Sequence, residues 1–233
     1  MKLHNFFGCF ERESLRQDIV LHSDWGPGLC HYLSTTLPKK MAHINEIEFI
    51  ALDFEMTGLD PNKDKILSIG LVPFTLEGIE LSQAQERLIC HGMYVKPESA
   101  QVNQLTPKML SFGVSIYDAM NELFFRLAGK VILAHNACIE QQFIESYLMK
   151  YCNLTSFPAY FIDTLNIEKC FSYEGRSKGR KSYQLDDLRA CYGLPHYCSH
   201  SAASDALACA ELFIVQYKKL LSRDDLLLKD VCR

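Results

Sequence analysis

Between residues 48 and 95 three strand-like segments follow one another across short links, a spacing that favours an antiparallel meander. The first is Glu48–Glu55, closed by Thr57-Gly58 and Asp60-Pro61. The second is Lys65–Val72, and the third is Arg87–Val95, ended by Pro97. From Ser115 to Ala128, apolar Ile116, Met120, Leu123, Phe124 and Leu127 recur at helical spacing, and Gly129 stops the helix. Val131-Ile132-Leu133-Ala134 is a wholly apolar run, as expected of a strand buried on both faces. A helix over Ile139–Met149, a strand at Tyr160-Phe161-Ile162 and helices over Gln184–Cys191 and Ala202–Leu221 complete the chain. The expected fold class is α/β: a mixed sheet, three strands in an antiparallel meander plus two parallel ones, flanked by helices.

Residues 1–45 differ from the rest. They hold the single tryptophan, Trp25, a Gly26-Pro27-Gly28 turn signal and the Pro38-Lys39-Lys40 breaker, and read as an extension packed on the main domain, 46–233. Hydrophobic residues make up 48% and charged residues 22%, the balance of a soluble globular protein. No apolar run suits a membrane span, and Glu11, Arg12 and Glu13 interrupt the amino terminus before it could serve as a secretory signal, so a cytoplasmic protein is expected. The ten cysteines are scattered without C-x-x-C or zinc spacing and read as reduced thiols. The formal charge of −4 argues against a polyanionic partner unless bound cations cancel part of it.

The residues of chemical interest are acids placed against this apolar pattern. Asp53 and Glu55 are two apart on a strand, so both carboxylates project from one face. Two such groups on a buried strand repel each other and are costly to desolvate, a cost that divalent cations offset. The run Leu133–Ile144 delivers a His135-Asn136 turn from a buried strand into a helix, with Glu140 in its first turn; His135 and Asn136 themselves read as a helix-capping turn. In His200-Ser201-Ala202-Ala203-Ser204-Asp205, His200 and Asp205 converge only if His200 precedes the helix and Ser201 is its N-cap. Ala202, Ala203, Ala206, Ala208 and Ala210 would let this helix pack closely on a neighbour.

Taken in this order, the three motifs resemble the DEDDh branch of the DnaQ-like 3′→5′ exonucleases, a family with a ribonuclease H-like fold that includes the epsilon subunit of bacterial DNA polymerase III. The resemblance covers roughly residues 47–220. It extends to Thr57-Gly58, Asp163-Thr164-Leu165 and Ser182–Leu188, and Ser201 stands where the sister DEDDy branch has tyrosine. Glu140 stands where the family has aspartate, and it reaches about 1.5 Å further. The resemblance implies two divalent cations, Mg²⁺ or Mn²⁺. Asp53 would bridge them, Glu55 and Asp205 would complete one site, Glu140 would support the other, and His200 would be the general base. It also implies a nucleic acid 3′ end as substrate and nucleoside 5′-monophosphates as products, with single-stranded DNA favoured over RNA.

For the strand end, Met56, Thr57, Gly58 and Leu59 form a turn whose backbone could approach the terminal sugar, with Leu59 either a wedge against the last bases or simply core. A basic loop carrying Lys169, Arg176, Lys178, Arg180 and Lys181 beside Tyr173 and Tyr183 is a candidate for phosphate contact and base stacking, and Asn136 joins the candidate substrate contacts. Two alternatives stand beside this reading. One is an oligoribonuclease-like RNA trimmer, whose first motif Asp53–Pro61 resembles. The other is a non-catalytic nucleic acid-binding module in which Glu140 marks a degenerate site. The short tail, 222–233, sets the expectation of a stand-alone repair or turnover role over association with a polymerase.

Overall fold

The computed structural model describes residues 11–92, 105–177, 179–197, 201–221 and 225–232. Its centre is a five-stranded sheet of β1 (Phe49–Met56), β2 (Ile66–Phe74), β3 (Gln85–Leu88), β4 (Val131–Ala134) and β5 (Phe161–Asp163), in the order β3-β2-β1-β4-β5. β1 pairs antiparallel with β2, and β2 with β3, whereas β1–β4 and β4–β5 are parallel. This is the mixed α/β sheet expected from the sequence. Every residue of β2 and β4 is buried, which accounts for their near-continuous apolar composition.

The third strand is shorter than predicted. Past Leu88 the pairing with β2 continues for one bond, Ile89 to the Leu67 carbonyl (2.9 Å), while the backbone takes a second partner: Val114 donates to the Leu88 carbonyl (2.9 Å), and Cys90 donates to that of Val114 (2.8 Å). Residues 93–95 of that prediction lie outside the described residues.

Helices α1 (Glu11–Asp18) and α2 (Pro27–Ser34) precede the sheet, and α3 (Pro107–Leu110) and α4 (Ile116–Leu127) precede β4. α4 begins where Ser115 accepts a hydrogen bond from the Asp118 amide, and it buries Met120, Leu123, Phe124 and Leu127, the predicted apolar stripe. Trp25, Leu29, Tyr32 and Leu33 join the same core, and the Tyr32 hydroxyl donates to the Pro158 carbonyl at 2.9 Å. At Gly28 a Cβ would lie 1.9 Å from the Asn121 carbonyl oxygen, so only glycine lets α2 approach α4 this closely.

Helices α5 (Cys138–Cys152), α6 (Thr164–Phe171), α7 (Tyr173–Ser177), α8 (Leu185–Cys191) and α9 (Ala202–Gln216) follow the parallel strands. The predicted last helix splits into α9 and a π-helical turn, Tyr217–Leu221. The change comes just after Gln216, whose buried amide donates to the Thr164 carbonyl and the Glu168 carboxylate. No helix among the described residues is long and apolar enough to cross a membrane.

Candidate active site

The strand register aligns the site. Asp53 sits opposite Gly70 on β2, which sits opposite Glu86 on β3; Glu55 sits opposite Ser68, and Ser68 opposite Leu88. Paired residues share a face, so Asp53, Glu55, Ser68, Gly70 and Glu86 all project to one side of the sheet. α9 lies across β1 and β2. A Cβ at Gly70 would lie 2.0 Å from the Ala202 carbonyl carbon and oxygen, so the first turn of the helix rests directly on strand backbone. Further along α9, Phe213 meets Phe49 and Phe74 edge-on, with ring centroids 5.5 and 6.1 Å away. Ser201 is the N-cap, its hydroxyl accepting from the Ser204 amide, as the sequence requires if the last motif is to converge.

This seat brings Asp205 onto Asp53 and Glu55. One carboxylate oxygen from each lies within 4.8 Å of the others, with Glu55 buried and the other two partly so. Glu140, in the first turn of α5, is only 4% exposed, and its Oε2 has no hydrogen-bond partner among the described residues. It is outside the triplet, yet its charge acts on Asp53.

The electrostatics are those of a site built for cations. Burial, then Glu140, Asp205, Glu55 and Glu86 in turn, push the Asp53 carboxyl well above the usual carboxylate range. Burial, followed by Asp205 and Glu86, pushes Glu55 up to about 7. Burial, with a contribution from Asp163, pushes Glu140 up to about 8. An orphaned buried oxygen beside three converging carboxylates fits divalent cations with hard oxygen ligands. Asp53, Glu55 and Asp205 could hold one ion, and Asp53 with Glu140 could contribute to a second.

The His135-Asn136 turn braces this arrangement. The Nε2 of His135 lies 2.8 Å from the Tyr183 carbonyl, which can only accept, so Nε2 carries the proton and Nδ1 faces the Thr164 hydroxyl at 2.8 Å. Burial lowers the pKa of this imidazole. Asn136 adopts the left-handed conformation (φ 68°), and its amide donates to Asp163 Oδ1 at 3.0 Å. The side chain of Asn136 makes no cap, because Ala137 is the N-cap of α5 and caps it with no side-chain bond. Asp163 Oδ1 instead caps α6, accepting from Leu165 and Asn166.

The remaining candidates divide. Leu59 is 67% exposed, which removes the reading of it as core. Its turn is fastened by Asp64, which accepts from the Thr57 hydroxyl and the Asp60 amide, each at 3.0 Å. A Cβ at Gly58 would lie 2.5 Å from the Asp64 carboxylate. Met56 ends β1 beside a register shift. In the basic loop Arg176 and Lys181 are exposed, and the Lys169 ammonium lies 5.1 Å from the Tyr183 ring centroid. Arg180 requires correction as a phosphate contact. Its guanidinium turns inward to Glu168 (2.6 Å) and Glu174 (2.7 Å), with 9% of the side chain exposed. Lys178 and His200 lie outside the described residues.

Sequence reasoning did not single out Ser68, Gly70, Glu86 or Asp64.

Comparison with known proteins agrees with this geometry. The RNase T family model, described as an exonuclease, matches residues 50–213. The chain is 31% identical over 166 residues to a PolC-type DNA polymerase III of Thermotoga maritima, covering 71% of this chain and 12% of that protein. It is 29% identical over 167 residues to a DNA polymerase III epsilon subunit of Treponema pallidum, covering 72% and 75% respectively. Thus the chain spans only about an eighth of the PolC-type relatives it matches but three quarters of that epsilon subunit. Among solved structures, a 3′-exonuclease recognising the histone mRNA stem-loop superposes with a TM-score of 0.61 at 12% identity, covering 76% of this chain and 83% of that one. The shared architecture is the ribonuclease H-like fold, and the chain belongs to the RNase T exonuclease family.

Proposed function

We propose that this protein is a 3′→5′ exonuclease that uses two divalent cations, Mg²⁺ or Mn²⁺, to remove nucleoside 5′-monophosphates from single-stranded DNA. The observation that carries the reading is the convergence of Asp53, Glu55 and Asp205 within 4.8 Å. The orphaned Glu140 oxygen beside them adds to it. When bound, the cations would neutralise phosphate charge, lower the pKa of the attacking water and stabilise the leaving oxygen. Asp53 would reach both ions, with Glu55 and Asp205 on one and Glu140 on the other. His200 would take the proton from the attacking water, a task suited to an imidazole whose ordinary pKa is about 6.5.

The exposed Leu59, on a turn fastened by Asp64, supports a wedge against the terminal base, with the Thr57-Gly58 backbone facing the sugar. Arg176, Lys178 and Lys181 would contact phosphates further along the strand, and Asn136 would act through the turn it forms. Residues 1–45 would be an extension of an exonuclease domain over 46–233, and free thiols at Cys30, Cys90, Cys138, Cys152, Cys170, Cys191 and Cys209 suit a reducing cytoplasm.

A second reading has its own observation. Asp53–Pro61 resembles the first motif of oligoribonucleases, and the histone mRNA 3′-exonuclease shares the fold. Turnover of single-stranded DNA, long RNA and dinucleotides, measured with wild type and His200→Ala side by side, decides between them. The substitution is expected to lower kcat roughly 10²–10⁴-fold on the preferred substrate. Strand-end binding with no Mg²⁺-dependent product release would leave a non-catalytic binding module instead.

A further inference from the structure

Glu86 lies beside the acidic cluster but is bonded differently from its members. Its Oε1 accepts from the Ser68 hydroxyl and its Oε2 from the Ser201 hydroxyl, both at 2.6 Å. Both oxygens are thereby engaged, which makes Glu86 a poor candidate for a cation ligand. Ser68 belongs to β2 and is fully buried; Ser201 is the N-cap of α9, adjacent in sequence to His200 and four residues before Asp205. The Asp205 amide also donates to the Ser201 carbonyl at 3.0 Å. The chain of contacts therefore runs from two strands, through one carboxylate, into the turn that carries Asp205.

We propose that Glu86 is a positioning residue that latches the N-terminus of α9 to the sheet through Ser201, fixing Asp205 over Asp53 and Glu55. The proposal deepens the exonuclease reading and rests on it. Gly70 sets how close the helix comes, because strand and helix backbones touch there. The Phe213 contacts hold the far end of α9, but the contact at Gly70 is non-directional and leaves the first turn free to pivot. The Glu86–Ser201 bond, on the neighbouring strand, removes that freedom. The fold accepts a further negative charge close to Asp53 and Glu55 to obtain it.

The test separates a latch from a charge. In Glu86→Gln the amide oxygen accepts from one serine and the amide nitrogen donates to the other, so the latch survives while the charge is lost. In Glu86→Ala both are lost. Glu86→Ala is expected to lower kcat about 10- to 100-fold with KM for an oligonucleotide unchanged, as an ångström-scale misplacement of a ligand does. Glu86→Gln should stay near wild type. Ser201→Ala should resemble Glu86→Ala, and the double variant should be no worse than either single one. Equal losses in Glu86→Gln and Glu86→Ala, wild-type turnover in Glu86→Ala, or additive losses in the double variant would overturn the latch.

Amide hydrogen exchange of Ser204 and Asp205 in the metal-free protein gives a readout that needs no turnover. It should quicken in Glu86→Ala and Ser201→Ala but not in Glu86→Gln. If Glu86→Ala does not fold, Ser201→Asp, which keeps an N-cap acceptor for the Ser204 amide but cannot donate to Glu86, decides on the same two measurements. A wild type that releases no product under Mg²⁺ would remove the exonuclease reading, and the exchange rates would still judge the latch.

Discussion

Two buried carboxylates in this molecule are treated in opposite ways. Glu168, on α6, is fully buried and satisfied on both oxygens. Arg180 donates to Oε1 at 2.6 Å, while the Tyr192 hydroxyl and the Gln216 amide donate to Oε2 at 2.8 and 3.1 Å. Glu140, on α5, is buried almost as deeply, yet its Oε2 has no partner among the described residues, and its neighbours are acids. The fold can therefore supply a guanidinium, a phenol and an amide to a carboxylate where structure is the purpose. At Glu140, Asp53, Glu55 and Asp205 repulsion is instead left standing. Leaving a charge uncompensated in the interior costs several kcal/mol, and a cation at this position would relieve it.

The largest expected effect comes from Asp53→Asn. It should lower turnover by more than about 10³-fold, the equivalent of the several kcal/mol a coordinated metal contributes, while leaving the metal-free protein at least as heat-stable as wild type. A variant that keeps its activity, or loses stability with it, would erase the distinction between the two carboxylate sites.

Glu168→Ala should do the reverse. It strands the buried Arg180 guanidinium and is expected to cost about 3–5 kcal/mol of unfolding free energy in urea titration, with the activity of the remaining folded protein intact. A loss below that range would mean that Glu174 alone satisfies Arg180.

The pH dependence of the metal-free protein sharpens the contrast further. Glu55 and Glu140 have folded-state pKa values raised to about 7 and about 8. The folded state therefore holds more protons than the unfolded chain once the pH exceeds the ordinary carboxylate range. The stability linked to these groups is fully present below that range and is lost as pH rises through 7 to 8. Tm should fall over this window without metal, and added Mg²⁺ should raise it more at pH 8 than at pH 5.5, because the ion binds the ionised form. A Mg²⁺ effect independent of pH would count against cation binding at these acids.

The smallest effect belongs to Glu140→Asp. Shortening the side chain restores the residue type of the resembled family and should leave turnover within about tenfold of wild type, since a small shift of α5 can absorb one bond length. Glu140→Ala should lose far more, and equal losses in the two variants would mean that chain length decides.

Much of this was legible in the chain, and what was missed shares a cause. The two-residue spacing of Asp53 and Glu55, the apolar Val131–Ala134 run and the Ser201 N-cap are local signals, and local chemistry set the outcome at each. Glu86 was hidden because its part depends on register: it faces Asp53 only across Gly70, an alignment of three strands that no short window contains. Arg180 read as a free cation because its partner Glu168 belongs to an earlier helix. The fate of Leu59, wedge or core, turned on exposure, which is a property of the assembled surface.

The contact at Gly70 has a consequence for how the protein fails. Where main chain meets main chain with no side chain between, the separation of α9 from the strands depends on no rotamer, and only its tilt is left for the Glu86–Ser201 bond to hold. Warming that loosens ordinary side-chain packing leaves this separation untouched until α9 lifts from the sheet as a whole. Catalytic competence and native structure are then expected to vanish in the same transition, with no inactive but folded form between them.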